Sequence, residues 1–486
     1  MDLRKRNIVI SLMVAMFLGA VEGTVVTTAV PTIVKALNGF ELISWVFSIY
    51  LLTSAISTPI YGKLSDLYGR KNILSIGIIV FITGSFLCGV SGSMYQLIIF
   101  RALQGLGAGA IFTVTYTIVG DIFTLSERAK VQGWLGTVWG VASLAGPFLG
   151  GFLIDYLSWH WIFFINVPFG ILSIVLLQKN LDEHIMKKKV KIDYAGALVL
   201  SFAILLFLYG TMSKGEGSSA VSVKTFISIV VTIGMFIIFY FIEKRVSEPI
   251  IPFEIFTKTN IIVNIISFLI SSVLIGTDVY MPLYIQNILG FSPTISGLAM
   301  APMSLAWTLS SVLLSKAIPK YGERVVTALS VLITLISCVF LVTLNLNSSI
   351  TLVLIYAFIM GLGFGGAFTI LTIVVQSSVE YSIRGAATAA NSLVRTIGQT
   401  IGVSILGSIV NLSIVRYFSD IGIKGIKPDN IYSSKAINVN LSAEHIKASI
   451  YSGVHLVFII LVAISVLCLA LSLILPNKLK ENNIES

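Results

Sequence analysis

Four ionisable side chains sit inside long apolar stretches: Glu22 in "VEGTVVTTAVPTI", Arg101 in "FRALQGLGAGA", Asp278 in "IGTDVYMPLYI" and Arg395 in "SLVRTIGQT". A charge at the centre of a bilayer costs about 2.5–3.5 kcal/mol on insertion scales, so it persists only with a partner, with water or with a proton. Burial favours the protonated form of a carboxylate and a neighbouring cation favours the ionised form. Glu22, in a cavity that opens alternately to two sides, could therefore load a proton on one side and release it on the other. A cationic substrate would compete with that proton and couple the two fluxes. Asp278, nearer the outer end of its stretch, is a second candidate for proton or cation handling and for substrate contact. Arg101 could hold Glu22 ionised or help discharge it. Arg395, about 15 Å into its stretch by helical rise, could pair with an acid or touch substrate. Helix-to-helix bridging is the structural alternative for Glu22, Arg101 and Arg395, and an outer-surface polar contact is the alternative for Asp278. Trp45, Trp139 and Trp307 also lie in apolar stretches, where an aromatic face can stack on a lipophilic cation.

The elements that must position these residues follow from composition. Roughly a quarter of the residues of an ordinary soluble domain are charged; here 11% are, and 56% are hydrophobic. Apolar runs long enough to cross a hydrocarbon core near 30 Å recur throughout. They place fourteen spans at 8–30, 42–61, 73–91, 95–119, 131–154, 162–177, 193–213, 224–242, 261–283, 294–315, 325–344, 349–373, 385–410 and 451–475. The expected fold class is an all-α integral membrane protein.

The net charge of +10 reports topology rather than nucleic-acid binding. With Arg4, Lys5 and Arg6 in the cytoplasm, most basic residues, including "KKKVK" at 187–191, fall on the same side. An even span count returns "NKLKENN" there too. The apolar stretch after "MDLRKRN" is too long for a signal peptide and lacks a small-residue cleavage site, so it is expected to remain as the first span. Cys88, Cys338 and Cys468 are scattered in apolar runs and read as packing residues. The four histidines are dispersed without metal-ligand spacing, and no cofactor or metal is expected. Asn347, Asn411 and Asn440 begin short sequons on the expected outer side, matches that chance can supply.

An internal repeat organises the chain. "GLGAGAIFTV" from Gly105 recurs as "GLGFGGAFTI" from Gly361, and the same offset of 256 residues pairs Arg128 with Arg384, Gly146 with Gly402 and Gly151 with Gly407. "GKLSDLYGRK" at 62–71 has a decayed partner, "SKAIPKYGER", at 315–324. Duplicated bundles typify transporters with a central site. The expected domains are an N-terminal six-helix bundle over 1–180, a linker with two extra helices over 181–258, and a C-terminal six-helix bundle over 259–486 with a long outer loop at about 411–449.

"GKLSDLYGRKN" resembles the cytoplasmic signature loop of the major facilitator superfamily. Gly62 can end one helix and Gly69 can make the tight turn before the next, with Asp66 and Arg70 as a charged clasp at the membrane surface. The resemblance implies a gating role for this loop. Gly133, Ala142 and "SLAGPFLGG" in the fifth span are similar to the family's antiporter motif, with Ala142 in place of a glycine. Small residues at Gly146, Gly150 and Gly151 let helices approach, and Pro147 bends the span, so these four are also gating candidates. "RALQGLGAGA" resembles the fourth-span motif whose Arg is implicated in proton coupling. The opening stretch is similar to a first-span motif that usually has Asp at Glu22 and Asn at Thr27.

"WHWIFFINVPFG" from Trp159, "YMPLYIQNILGFSPTISGLAMAP" from Tyr280 and the fourteen spans together resemble the drug/proton antiporter branch with two extra helices. The resemblance implies a multi-pass cell-membrane protein, bacterial, with both termini cytoplasmic. Its partners would be protons, a small-molecule substrate and the lipid bilayer, with no nucleic acid, and it would work as a monomer. The implied activity is proton-coupled efflux of lipophilic, cationic drugs and hence antibiotic resistance. No nucleophile, base and orienting group come together as an enzyme needs. Two rivals remain open: a proton-coupled exporter of a specific metabolite or amphipathic anion, with Arg395 meeting substrate charge, and a sensor or scaffold that has lost flux.

Overall fold

Four helix starts show why the apolar runs begin where they do, because a Ser or Thr side chain accepts an orphan N–H of the first turn in each. Ser93 caps α4 (Met94–Ile122) through Gln96 N, and Thr257 caps α10 (Lys258–Asn287) through Asn260 N. Ser349 caps α14 (Ile350–Ser377) through Thr351 N, and Ser442 caps α16 (Ala443–Ile474) through His445 N. The remaining helices are α1 (Leu3–Leu37), α2 (Ile43–Tyr68), α3 (Arg70–Gly89), α5 (Leu125–Tyr156), α6 (Trp161–Phe164), α7 (Asn166–Asn180), α8 (Tyr194–Met212) and α9 (Val223–Glu243), followed by α11 (Pro293–Ser315), α12 (Ile318–Tyr321), α13 (Glu323–Val342) and α15 (Arg384–Asp420).

The computed structural model describes residues 3–123, 125–181, 193–212, 223–246, 253–315, 317–380, 384–423, 425–426, 428 and 442–476, apart from some side chains within helices. Among the described residues there are no strands. The segments "KKKVK" and "NKLKENN", the Asn440 sequon and the side chains of Asp66, Arg128 and Gly133 lie outside the described residues.

Among the described residues, thirteen helices are long and apolar enough to cross a membrane, with α6 and α7 making one crossing, Trp161–Asn180. The expected span 193–213 falls on α8, a 19-residue apolar helix; fourteen crossings are consistent with this architecture. The protein is an all-α, multi-pass membrane protein. Helix α15 runs on to Asp420, and α16 opens at Ala443, both inside the segment expected as an outer loop at 411–449. The reason is a buried stripe at helical spacing, Val410, Ile414 and Phe418, which continues the apolar face beyond the hydrophobic run.

The chain forms two compact units: residues 1–26, 44–146 and 156–252 in the first, and 27–43, 147–155 and 253–486 in the second. In the first unit, α4 carries a glycine ridge with no room for side chains. A Cβ on Gly105 would fall on the Tyr50 carbonyl of α2, and one on Gly107 on the Gly77 and Phe81 backbone of α3. In the second unit the ridge recurs on α14, where Gly361 meets the Met303 carbonyl of α11 and Gly363 meets Thr334 of α13. The turns at 62–71 and 315–324 also match: Gly69 has φ 93° before α3, and Gly322 has φ 82° before α13, a backbone that side chains disfavour.

The inserted pair α8 and α9 belongs to the first unit. Helix α9 has its hydrophobic side chains on the outside, with Phe226, Ile227, Val230, Ile233, Ile237 and Phe241 all exposed. It is 21 residues long against 32 for α16.

Candidate functional site

In the first unit Glu22 is 1% exposed and is held at both oxygens. Its Oε1 accepts a short charge-assisted hydrogen bond from Arg101 Nη1 of α4, and its Oε2 accepts from Asn166 Nδ2 of α7 at 2.6 Å. Arg101, itself 1% exposed, makes two further bonds inside the unit: Nε donates to the Val46 carbonyl at 3.2 Å, and Nη1 also donates to Gln104 Oε1 at 2.8 Å. Its guanidinium lies 4.2 Å from the centre of the Tyr50 ring on α2. The arrangement cancels charge where water is scarce, and a buried pair of this kind is costly to break from one side.

Three neutral side chains complete the cage. Gln104 Nε2 donates to Ser85 Oγ of α3 at 3.1 Å, Asn166 Nδ2 donates to the same oxygen at 2.9 Å, and Ser85 donates to the Phe163 carbonyl at 2.8 Å. Two local features make these contacts reachable. Gly84, beside Ser85, has no room for a Cβ against the Gln104 backbone, so α3 and α4 approach closely. Pro168 lacks the N–H that would bond the Phe164 carbonyl, and the helix breaks between α6 and α7, leaving Asn166 as the first residue of α7. Sequence reasoning found Glu22 and Arg101 and missed Gln104, Ser85, Tyr50 and Asn166; the available signal was the Asn inside "WHWIFFINVPFG".

In the second unit the charged residues are held differently. Arg395 of α15 donates Nη2 to the Phe368 carbonyl at 3.1 Å and to Thr372 Oγ1 at 3.0 Å. Its Cζ is 4.8 Å from the Phe368 ring centre, and Phe368 stacks on Trp307 with centroids 5.1 Å apart. No acid pairs with Arg395 among the described residues. Asp278 of α10 is half-buried and makes no hydrogen bond or ion pair among the described residues. A neutral cluster absent from the sequence reading lies nearby in the chain, where Asn391 donates to Asn264 Oδ1 at 2.8 Å and Ser267 Oγ at 3.0 Å. Trp45 is half-buried on α2, and Trp139 is 39% exposed and stacks on Phe112.

The gating candidates are placed as follows. Gly62 lies within α2, and Gly69 makes the turn into α3. Arg70 donates Nε to Asp121 Oδ2 at 2.8 Å and Nη1 to Ser65 Oγ at 3.0 Å. In α5, Gly146 packs against Thr24 of α1, whose hydroxyl donates to the Ala142 carbonyl at 3.2 Å. The end of α5 belongs to the second unit. There the Gly297 side of α11 rests on the Pro147 carbonyl, Gly151 rests on the backbone of Pro293 and Thr294, and Asp155 Oδ2 accepts from Thr294 N at 3.0 Å. Gly150 is buried. Among the described residues no group of three or more His, Cys, Asp or Glu could hold a metal ion.

Comparison with known proteins places this geometry in a family. The chain is 34% identical over 403 residues to multidrug resistance protein 3 of Bacillus subtilis, covering 83% of this chain and 79% of that protein. It is 30% identical over 442 residues to the multidrug efflux pump SdrM of Staphylococcus aureus, covering 90% and 95%. Its fold is similar to the crystal structure of a bacterial homologue of the human lysosomal transporter Spinster, with TM-score 0.72, 13% identity, and 98% and 97% of the chains covered. Residues 12–403 match the family model described as Major Facilitator Superfamily, and the chain belongs to that superfamily of membrane transporters.

Proposed function

We propose that the protein is a proton-coupled antiporter that exports lipophilic, cationic drugs by alternating access, with Glu22 protonated and deprotonated in each cycle. The observation that carries this reading is the buried carboxylate of Glu22 paired with Arg101 in the membrane interior. Buried intramembrane acids mark proton and ion pathways by default. The names of its relatives in Bacillus subtilis and Staphylococcus aureus support drug export and a bacterial cell membrane. In this reading Arg101 stabilises the ionised acid, and Asp278 is a second proton or cation site. Glu22, Asp278, Arg395, Trp45, Trp139 and Trp307 contribute to substrate binding. The turn carrying Gly62, Asp66, Gly69 and Arg70 gates the cytoplasmic side, and Gly146, Pro147, Gly150 and Gly151 form the antiporter helix.

The division into bundles over 1–180 and 259–486, the inserted pair between them, cytoplasmic termini and a monomeric working unit belong to the same proposal. The test is gradient-dependent efflux of ethidium from vesicles holding the intact protein or the Glu22→Gln variant. Export by the intact protein and none by the variant supports the proposal; undiminished gradient-driven export by the variant sinks it. A second reading, export of an amphipathic anion, is favoured by Arg395, which has no acid partner among the described residues; it predicts that Arg395→Met abolishes anion efflux from the same vesicles.

A further inference from the structure

The hydrogen bonds around Glu22 have only one consistent set of donors. Arg101 can only donate, so the Gln104 atom facing it is the oxygen and the Gln104 amide nitrogen faces Ser85. The Phe163 carbonyl can only accept, so Ser85 gives it the hydroxyl proton. Ser85 therefore has only lone pairs left, and the Asn166 atom that faces both it and Glu22 is the amide nitrogen. The two groups hydrogen-bonded to Glu22 are then both donors. They are complementary to the carboxylate anion, and neither offers an acceptor to a carboxylic O–H.

We propose that Asn166 is a positioning residue that reads the charge of Glu22: its amide holds the anion, and on protonation it turns over so that Oδ1 accepts the new O–H. The proposal rests on the coupling role of Glu22 given above. The proton balance closes within the cage. The incoming proton stays on Glu22 Oε2 and is shared with Asn166 Oδ1. Ser85, no longer receiving an N–H from Asn166, rotates its own proton from the Phe163 carbonyl to the second lone pair of Oδ1. Gln104 continues to donate to Ser85. The Asn166 Oδ1 atom has no partner among the described residues, so the turn gives up only the two Nδ2 bonds, and the Glu22 O–H and the Ser85 hydroxyl replace them at Oδ1. The turned amide leaves Nδ2 facing that same partnerless side, which makes the protonated arrangement the less stable one in this conformation.

The freed Phe163 carbonyl belongs to α6, at the break before α7. A proton on α1 is thereby felt at the start of the sixth crossing, through α3, without any movement of Arg101. The titratable or charged groups that face Glu22 are Arg101 from α4, Tyr50 from α2 and Cys88 from α3; α7 contributes the neutral Asn166. This assigns work to the Asn of "WHWIFFINVPFG", which transport by Glu22 and Arg101 alone leaves without a purpose.

The test is an infrared pH titration of the full-length protein in lipid, following the protonated-carboxyl band that disappears in Glu22→Gln. Asn166→Leu removes a donor to the anion while keeping the side chain's size, and is expected to move the band's midpoint to higher pH by about one unit. Ser85→Ala removes the acceptor that fixes the amide and is expected to shift it in the same direction by a smaller amount; it serves alone if Asn166→Leu does not fold. Asn166→Gln, which keeps the amide, is expected to restore part of the difference. A Glu22 band whose midpoint is the same in the intact protein and in both variants overturns this inference alone. A protein with no Glu22-dependent band overturns the coupling proposal and this inference together.

Discussion

Helices α4 and α14 are copies of one glycine ridge that pack alike and carry opposite kinds of chemistry. Gly105 and Gly107 lean on α2 and α3 as Gly361 and Gly363 lean on α11 and α13. One turn earlier the copies part: Arg101 and Gln104 on α4 correspond, at the repeat offset, to Ala357 and Met360 on α14, both buried. The first unit neutralises a buried acid with a cation on the ridge helix itself. The second has an apolar ridge helix and keeps its cation, Arg395, on α15, held by a carbonyl, a hydroxyl and an aromatic face. Duplication preserved the seams that fold each unit, and charge was free to diverge because it is not what holds the seams together.

That contrast is broken most directly at Arg101. Arg101→Leu strands a buried carboxylate, and is expected to cost about 3–5 kcal/mol in thermal unfolding and to abolish ethidium export. Adding Glu22→Gln should recover most of the stability and none of the export; a double variant as unstable as the single one would mean that Arg101 matters for packing rather than for charge. The shared half of the contrast is tested by Gly107→Val and Gly363→Val, each expected to destabilise by about 1–3 kcal/mol through overpacking. A tolerated valine at either position would show that the two seams are not equivalent. The smallest effect is expected at Phe368→Leu, where the part that comes from the lost cation–aromatic contact, about 0.5–2 kcal/mol, should vanish in an Arg395→Met background while the loss of stacking on Trp307 remains.

How much of this was legible in the sequence depends on the type of residue. Glu22 and Arg101 were readable because a lone charge in an apolar run has no inexpensive structural excuse, and their pairing then follows from mutual need. The repeat was readable because a seam too tight for side chains must repeat its glycines. Gln104, Ser85 and Asn166 were not, since a neutral polar side chain is tolerated in a span and its role depends on which helix faces meet. Asp278 and Arg395 were readable as exceptions but not as residues without an oppositely charged partner among the described residues, because partners come from other helices. The extra turns of α15 were hidden as well: hydropathy averages fall after residue 410 while the stripe of Val410, Ile414 and Phe418 goes on.

The inserted hairpin has a consequence of a different kind. At 1.5 Å per residue, the 21 residues of α9 reach about 32 Å, whereas the 32 residues of α16 reach about 48 Å. The longer helices can absorb a change in bilayer thickness by tilting or by letting their ends emerge, but α9 has little length to spare and an apolar surface that only acyl chains can cover. Thickening the membrane therefore strains α9 together with the other short crossings, α3 and α13 among them, before it strains α16, so the lipid composition of the host membrane acts on the protein first through its shortest helices.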